Sequence, residues 1–457
     1  MKFRRLLAVF FCLILALNLG ATAFAAKDDV GDWEVAAKAA ILIDPDTDEV
    51  LYARNIHEKL YPASLTKVMT ALLVLEAVDA GKLSMDTVLV ASESAIANLP
   101  ADGSNAGIKV GEAHTVDELL HCILVVSANE ACDILAEGIA GSVPAFVDLM
   151  NQRARELGCE NTLFANTNGL HDPEHYTTAW DLSLIAREAR THERFMQVCS
   201  TRYFELPATE TSRVRQFYTT NYLIDHRRNA SYLYNGAQGI KTGFTSDAGY
   251  CLISCAEKND RALLGVVLGA QRVTLENNKQ DTQSFSETIK LLDYGFNEYS
   301  RQIILGADEL IDEVPVALSQ QQNAVKVHPA QEIERLVPKT MDPAVDIIRD
   351  VTFVSETVDA PIVKGQVLGQ VTLTYGDTVY ATVDLLADED VSASRILVFQ
   401  RDMIEFLQKP VVRISAIAVV ALIVLIVLLR MVSGRRRRRY GRGFSGRSAG
   451  GYRGRRR

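Results

Sequence analysis

Cysteine is scarce and scattered in this chain of 457 residues. Beyond Cys12 there are six, Cys122, Cys132, Cys159, Cys199, Cys251 and Cys255, with no Cys-x-x-Cys pair and no histidine at finger spacing. That pattern excludes zinc-finger and ribbon modules, and the six read as small buried thiols in apolar stretches. No metal or other cofactor is expected. Internal repeats are also missing. Acidic side chains are absent from residues 435–457, which carry 11 arginines, so a net charge of −9 leaves −20 on the rest. An acidic body excludes a nucleic-acid-binding globular domain, and the arginine cluster needs a local explanation.

Its position supplies one. Residues 411–432 are almost wholly apolar, with Arg413 and Arg430 near the ends, a length that spans a bilayer. Arg435 to Arg439 follow at once, and the positive-inside rule then places the tail (433–457) in the cytoplasm and the acidic body outside. The other end agrees. Lys2, Arg4 and Arg5 precede an apolar stretch at 6–19, and Ala23-Phe24-Ala25 forms a small-x-small cleavage site, so residues 1–25 read as an export signal. With 48% hydrophobic and 23% charged residues, the intervening body is ordinary globular protein with room for two domains.

Within it, Tyr61-Pro62-Ala63-Ser64-Leu65-Thr66-Lys67 places a hydroxyl and an amine three residues apart at the start of an apolar helix containing Val68, Met69, Leu72 and Leu75. Side chains at that spacing share a helix face. Burial would then give the amine the dry, rigid setting a base needs. Alone the spacing is weak, since roughly two Ser-x-x-Lys occur by chance in a chain this long.

Upstream, 39–44 and 49–53 read as a hairpin around Pro-Asp-Thr-Asp. Residues 88–112 read as loop. A helix follows Thr115, whose hydroxyl and Glu118 have capping-box spacing, and it delivers Ser127-Ala128-Asn129 into an apolar surrounding where hydroxyl and amide need partners or a substrate. Residues 165–182 form a polar loop entering the next helix. Its His171 and His175 are separated by Pro173, which disfavours a common helical face for metal binding. Gly239-Ile240-Lys241-Thr242-Gly243-Phe244-Thr245, then 249–256 and 261–270, read as three antiparallel strands, with Gly243 permitting close approach by a ligand. A helix from 284 to 296 closes this first domain. Past residue 302, short apolar alternations at 313–318, 324–327, 347–354, 360–374 and 378–386 read as a small all-β domain without chemistry of its own.

Ser64-x-x-Lys67, Ser127-x-Asn129 and Lys241-Thr242-Gly243, in that order in an exported chain, form the motif set of penicillin-binding proteins and active-site serine β-lactamases. The chain resembles the low-molecular-mass penicillin-binding proteins that act as serine-type D-alanyl-D-alanine carboxypeptidases. Further points of resemblance are the Pro-Ala-Ser-Leu-Thr-Lys-Val-Met-Thr context of Ser64, the Gly-Leu-x-Asp-Pro-x-His-Tyr loop, Leu291-Leu292-Asp293-Tyr294-Gly295-Phe296 and Ala360-Pro361-Ile362-Val363-Lys364-Gly365. The resemblance implies an α/β (α+β) fold in which a helix-flanked antiparallel sheet (26–300) carries the site. A β-rich stalk domain (301–394), a juxtamembrane linker (395–410) and a transmembrane helix (411–432) follow.

It also implies removal of the terminal D-alanine from peptidoglycan pentapeptide stems, with β-lactams as covalent inhibitors. Ser64 would be the nucleophile, Lys67 its base and Ser127 a proton relay; Asn129, Lys241, Thr242, Gly243 and Phe244 would hold the substrate. One position departs from the pattern. Family members often place an arginine before the Phe matching Phe285, where it helps bind the substrate's terminal carboxylate, but here that position is Ser284, leaving Arg272, or Thr242 with Lys241, for the task. Two rival readings remain, a β-lactamase sharing the three motifs and a silent wall-binding protein sharing the architecture. A β-lactamase of the commonest class needs a Glu-x-x-x-Asn motif not evident around 166–180, and a catalytically silent wall-binding protein would not need both lysines.

Overall fold

The computed structural model describes residues 33–439, apart from 98, 99, 101, 102, 228 and 377. The expected signal (1–25) and the tail beyond residue 439 lie outside the described residues. Contacts divide the chain into two units, one built mainly from residues up to 304 together with 334–348 and 374–380, the other from 305–333, 349–373 and the residues after 380.

In the first unit the hairpin forms as β1 (Ala39–Ile43) and β2 (Val50–Arg54), followed by α1 (Lys67–Asp79), α2 (Val116–Val125), α3 (Asn129–Ala140) and α4 (Ala179–Arg190). Three long strands, β3 (Ala237–Thr245), β4 (Gly249–Lys258) and β5 (Arg261–Ala270), then precede α5 (Gln283–Glu298). They assemble one antiparallel sheet in the order β2-β1-β5-β4-β3, which leaves β3 at an edge.

Both faces of this sheet are covered, which explains why its central strands read as nearly continuous apolar runs. Ile41, Ile253 and Val266 pack into the core that holds α1 and α4, whereas Leu42, Leu252 and Val267, one residue along, pack with Phe285, Leu291 and Leu292 of α5. Gly295 is what lets α5 sit so close. A Cβ there would lie 2.6 Å from a Leu263 methyl and 2.7 Å from one of Leu42. Helix α1 is buried almost all round, which suits its uniformly apolar sequence. The capping box at Thr115 is present in both directions, with Glu118 N–H on Thr115 Oγ1 at 3.2 Å and Thr115 N–H on Glu118 Oε2 at 3.0 Å. The stretch 88–112 is not wholly loop: Val88–Val90 pairs with Ala113–Thr115, and Glu93–Ala97 is a short helix. These pieces are too short to leave a periodic signal.

The second unit contains a sheet ordered Ile348–Phe353, Val367–Tyr375, Thr378–Ala387, Ala324–Pro329, Asp312–Ala317 and Val358–Asp359. In the first unit one further strand leaves no clear mark in the sequence: Ile333–Pro338 pairs with Tyr299–Leu305, its charged Glu334 and Arg335 obscuring the alternation. Arg395–Gln408, where the sequence suggests a linker, is helical, and Ser394 caps it through Leu397 N–H. Pro410–Arg439 is a further helix whose segment Pro410–Met431 is long and apolar enough to cross a membrane.

Candidate active site

The site begins with a strained turn. Ala63 has φ +48°, a region that residues bearing a Cβ seldom enter, and Ala63–Thr66 forms a single 3-10 turn before α1 starts at Lys67. The expected α-helical face is thus a 3-10 turn instead, in which residues three apart eclipse one another. The consequence is contact. Lys67 Nζ lies 3.0 Å from Ser64 Oγ.

Lys67 is completely buried at the start of an apolar helix, and its amine has two further neighbours: Asn129 Oδ1 at 2.8 Å and the Asn168 carbonyl at 2.6 Å. Burial lowers its pKa from the ordinary lysine value. The Asn168 carbonyl is a site group that sequence reasoning missed, because a backbone oxygen has no side-chain signature. Its loop is nonetheless held by side chains. Asn166 Oδ1 accepts the N–H of Gly169 at 2.7 Å, and Asn168 Oδ1 accepts that of Leu170 at 3.0 Å. Gly169, at φ +86°, is required by proximity, since a Cβ would fall 1.8 Å from the Ala63 carbonyl oxygen.

Between α2 and α3, Ser127 adopts φ +67°, and its buried hydroxyl finds no hydrogen-bond partner among the described residues. An unpaired buried hydroxyl costs about 1–3 kcal/mol, so its retention at a cavity wall points to use. Asn129, the next polar residue, opens α3 and reaches Lys67.

Edge strand β3 supplies the opposite wall. Lys241 is buried, with Nζ on the Thr242 carbonyl at 2.8 Å; burial first, and then the nearby charge of Lys67, pushes its pKa well below the ordinary value. Thr242 and Thr220 share a hydroxyl contact at 2.6 Å. The close approach at Gly243 is made by the protein's own Ser64 turn: a Cβ there would lie 3.1 Å from Pro62 O and 3.2 Å from Ser64 N. Phe244 stands 54% exposed at the mouth, its ring 4.4 Å from that of Tyr250.

These groups line a cavity of about 630 Å³ that holds Ser64, Ser127, Asn129 and Thr242 together with Arg272, Ser284 and Asp247. Lys67 and Lys241 sit behind its wall. Arg272 is held by Nε on Thr282 Oγ1 at 3.1 Å and lies over the Tyr250 ring. His171 and His175 point to different neighbours. His171 meets the Tyr61 ring edge-on and lies 3.8 Å from Asp247, while His175 is buried against Thr66.

A hydroxyl pressed against a buried amine at the end of an apolar helix, facing an edge strand across a peptide-sized cavity, defines the serine acyl-transfer class of penicillin-binding fold. The comparisons with known proteins narrow this. Residues 22–272 match the model of the D-alanyl-D-alanine carboxypeptidase family (peptidase S11), and residues 299–393 match the penicillin-binding protein 5 C-terminal domain. The D-alanyl-D-alanine carboxypeptidase DacF of Bacillus subtilis is 34% identical over 398 residues, covering 87% of this chain and 97% of that one. The structure of penicillin-binding protein 5 from Haemophilus influenzae aligns with TM-score 0.62 at 29% identity, over 80% of this chain and 100% of that one. The D-alanyl-D-alanine carboxypeptidase DacD of Francisella tularensis aligns with TM-score 0.63 at 28% identity, over 82% and 99%. The chain belongs to the D-alanyl-D-alanine carboxypeptidase family and is a serine-type peptidase.

Proposed function

We propose that this protein removes the terminal D-alanine from peptidoglycan pentapeptide stems through an acyl-enzyme on Ser64, outside the cell and tethered by its C-terminal helix. The observation that carries the reading is the coordination of Lys67. A neutral amine has two hydrogens and one lone pair, and Lys67 Nζ has three neighbours. Two of them, Asn129 Oδ1 and the Asn168 carbonyl, can only accept, so they take the hydrogens. The third is the Ser64 hydroxyl, which can donate. In that neutral form the lone pair faces the proton that must leave for Ser64 to attack a carbonyl carbon, whereas in the ammonium form the same three neighbours take its three hydrogens.

The remaining roles follow from placement. The unpartnered Ser127 hydroxyl carries the proton on to the leaving amine, and Asn129 also holds the peptide amide. Lys241 with Thr242 and Gly243 faces the substrate's carboxylate end, while the N–H groups of Ser64 and Phe244 stabilise the oxyanion. Water then resolves the ester. Asp247 is the one carboxylate among the described lining residues, and it lies by His171 in the turn after β3. Among the described lining residues no carboxylate stands beside Ser64 to activate a deacylating water, which favours the peptidase over a β-lactamase. Sidedness rests on the export signal and on the five arginines after the apolar helix.

Release of free D-alanine from a pentapeptide ending in D-Ala-D-Ala tests the reading: the protein should release it and Ser64→Ala should not. A protein that hydrolyses β-lactams rapidly while sparing the peptide would be a β-lactamase, and one inert to both would be a binding protein. The same assay addresses the carboxylate. With Ser284 in place of the family's arginine, Arg272 is the one lysine or arginine side chain among the described residues lining the cavity. Arg272→Ala should raise the peptide KM roughly tenfold, as expected for loss of a charged hydrogen bond. An unchanged KM would assign the carboxylate to Thr242 and Lys241.

A further inference from the structure

The orientation of the Ser64 N–H is set from the far side of its own peptide bond. In a trans peptide the C=O and N–H point in opposite directions, so whatever fixes the Ala63 carbonyl also fixes the Ser64 amide. That carbonyl accepts the Thr66 hydroxyl at 2.9 Å and points at Gly169. Ser64 N accordingly faces the other way, 3.2 Å from where a Gly243 Cβ would stand, beside Phe244 on β3. The Thr66 hydroxyl is in turn fixed by His175, whose Nε2 lies 2.8 Å away.

The ring's tautomer can be read from its other nitrogen. Nδ1 accepts the Ala165 N–H at 3.1 Å and so carries no proton, which places the hydrogen on Nε2 and makes the ring the donor to Thr66. Thr66 must then give its own hydrogen to Ala63. Every donor in the chain Ala165 N–H, His175, Thr66, Ala63 has one acceptor, and the direction is unique. Burial pushes the His175 pKa down to about 4, with Asp172 pulling it up and Lys67 pushing it down, so the neutral ring that this direction needs persists at ordinary pH.

We propose that His175 and Thr66 are positioning residues that aim the Ser64 N–H into the oxyanion hole, holding the strained Ala63 turn in its acylation-competent orientation. Neither residue touches the substrate, and nothing in the Ser-x-x-Lys spacing requires either. The loop of residues 165–178 thus serves the nucleophile twice, once through the Asn168 carbonyl on Lys67 and once through His175 on the peptide ahead of Ser64.

The proposal rests on the peptidase reading, so the test begins with acylation of the parent protein by a chromogenic cephalosporin. A parent that does not acylate overturns both. Given acylation, Thr66→Val, which keeps shape and removes the hydroxyl, should lower the acylation rate constant roughly 10- to 100-fold, part of what loss of an oxyanion donor costs. Its pre-covalent dissociation constant should stay within about twofold, on the same principle that the interaction forms only in the transition state. Binding of a boronic acid, whose tetrahedral adduct occupies the oxyanion hole, should weaken in parallel. Thr66→Ser should restore most of the rate. His175→Leu supplies a second, independent break in the chain, and His175→Gln, which keeps a donor at the end of the side chain, should recover part of what Leu loses. Combining Thr66→Val with His175→Leu should cost little more than either alone, because both act through one carbonyl. Parent-like acylation in Thr66→Val or in His175→Leu, or multiplicative losses in the pair, would overturn the relay and leave the peptidase reading standing.

Discussion

Lys67→Arg should reduce acylation of this protein by roughly three orders of magnitude, the scale of a lost general base, while the protein still folds. Arginine keeps the charge and much of the reach, yet guanidinium is not deprotonated in proteins and cannot accept the Ser64 proton. Lys241→Arg should cost much less, because the role argued for Lys241 is that of a cation facing the substrate carboxylate and Lys67. Both amines are buried, and two ammonium ions in one dry volume repel each other. The stable arrangement has one of them neutral, and the role of base requires that Lys67 be the neutral one in the molecules that acylate. In the parent, acylation should rise with pH as Lys67 gives up its proton, below the range of an ordinary lysine since burial lowers its pKa. Acylation rates of both variants across pH check this. Equal losses at the two positions would mean that Lys67 is not the base and that the proton leaves Ser64 by another route.

Gly169→Ala should be the most damaging single methyl in the described part of the site. At φ +86° any side chain meets backbone strain of about 1–2 kcal/mol, and here the added Cβ would also fall 1.8 Å from the Ala63 oxygen and 2.4 Å from its carbon. Those atoms are backbone and cannot swing away. Either the loop retreats, taking the Asn168 carbonyl from Lys67, or the Ala63 turn shifts and misdirects Ser64. Activity should fall at least ~100-fold, the usual consequence of misplacing reacting groups by an ångström. Gly81→Ala provides the control. Gly81 has φ +70° with nothing within 4 Å of its Cβ position, so it should lose about 1–2 kcal/mol of stability from strain and no activity. Thermal melts and D-alanine release for the two variants separate collision from strain. Similar behaviour in both assays would show that the contact of Gly169 with the nucleophile turn is not what the glycine is for.

Much of this site is legible in the sequence because its contacts are local or carried by side chains. Ser64 and Lys67 are three residues apart, the capping box at Thr115 is a four-residue signal, and the strands of β3, β4 and β5 are long enough to announce themselves. What escapes is what backbone does. The Asn168 carbonyl, the left-handed Ala63 and the peptide plane ahead of Ser64 have no residue-type signature, and the contacts of Asn168 with Lys67 and of His175 with Thr66 join residues 101 and 109 positions apart. His175 illustrates the difficulty. Along the chain it stands in a cluster with His171, Asp172 and Glu174 whose only legible feature is that Pro173 disfavours a shared metal face; in the fold its ring turns inward to Thr66, and His171 faces Asp247. The helix at Arg395–Gln408 is a different case: Ile396, Phe399, Met403 and Phe406 recur at helical spacing, so its signal lies in the sequence, and only its position between the β domain and the apolar span reads as linker.

The central claim is that Ser64, activated by Lys67, is the residue that becomes acylated. Its most direct measurement is the intact mass of the full-length protein after exposure to penicillin, followed by proteolysis and mapping of the modified peptide. The account predicts a single adduct, located on Ser64 and absent from Ser64→Ala. An adduct on any other residue, or one that persists in Ser64→Ala, would contradict it.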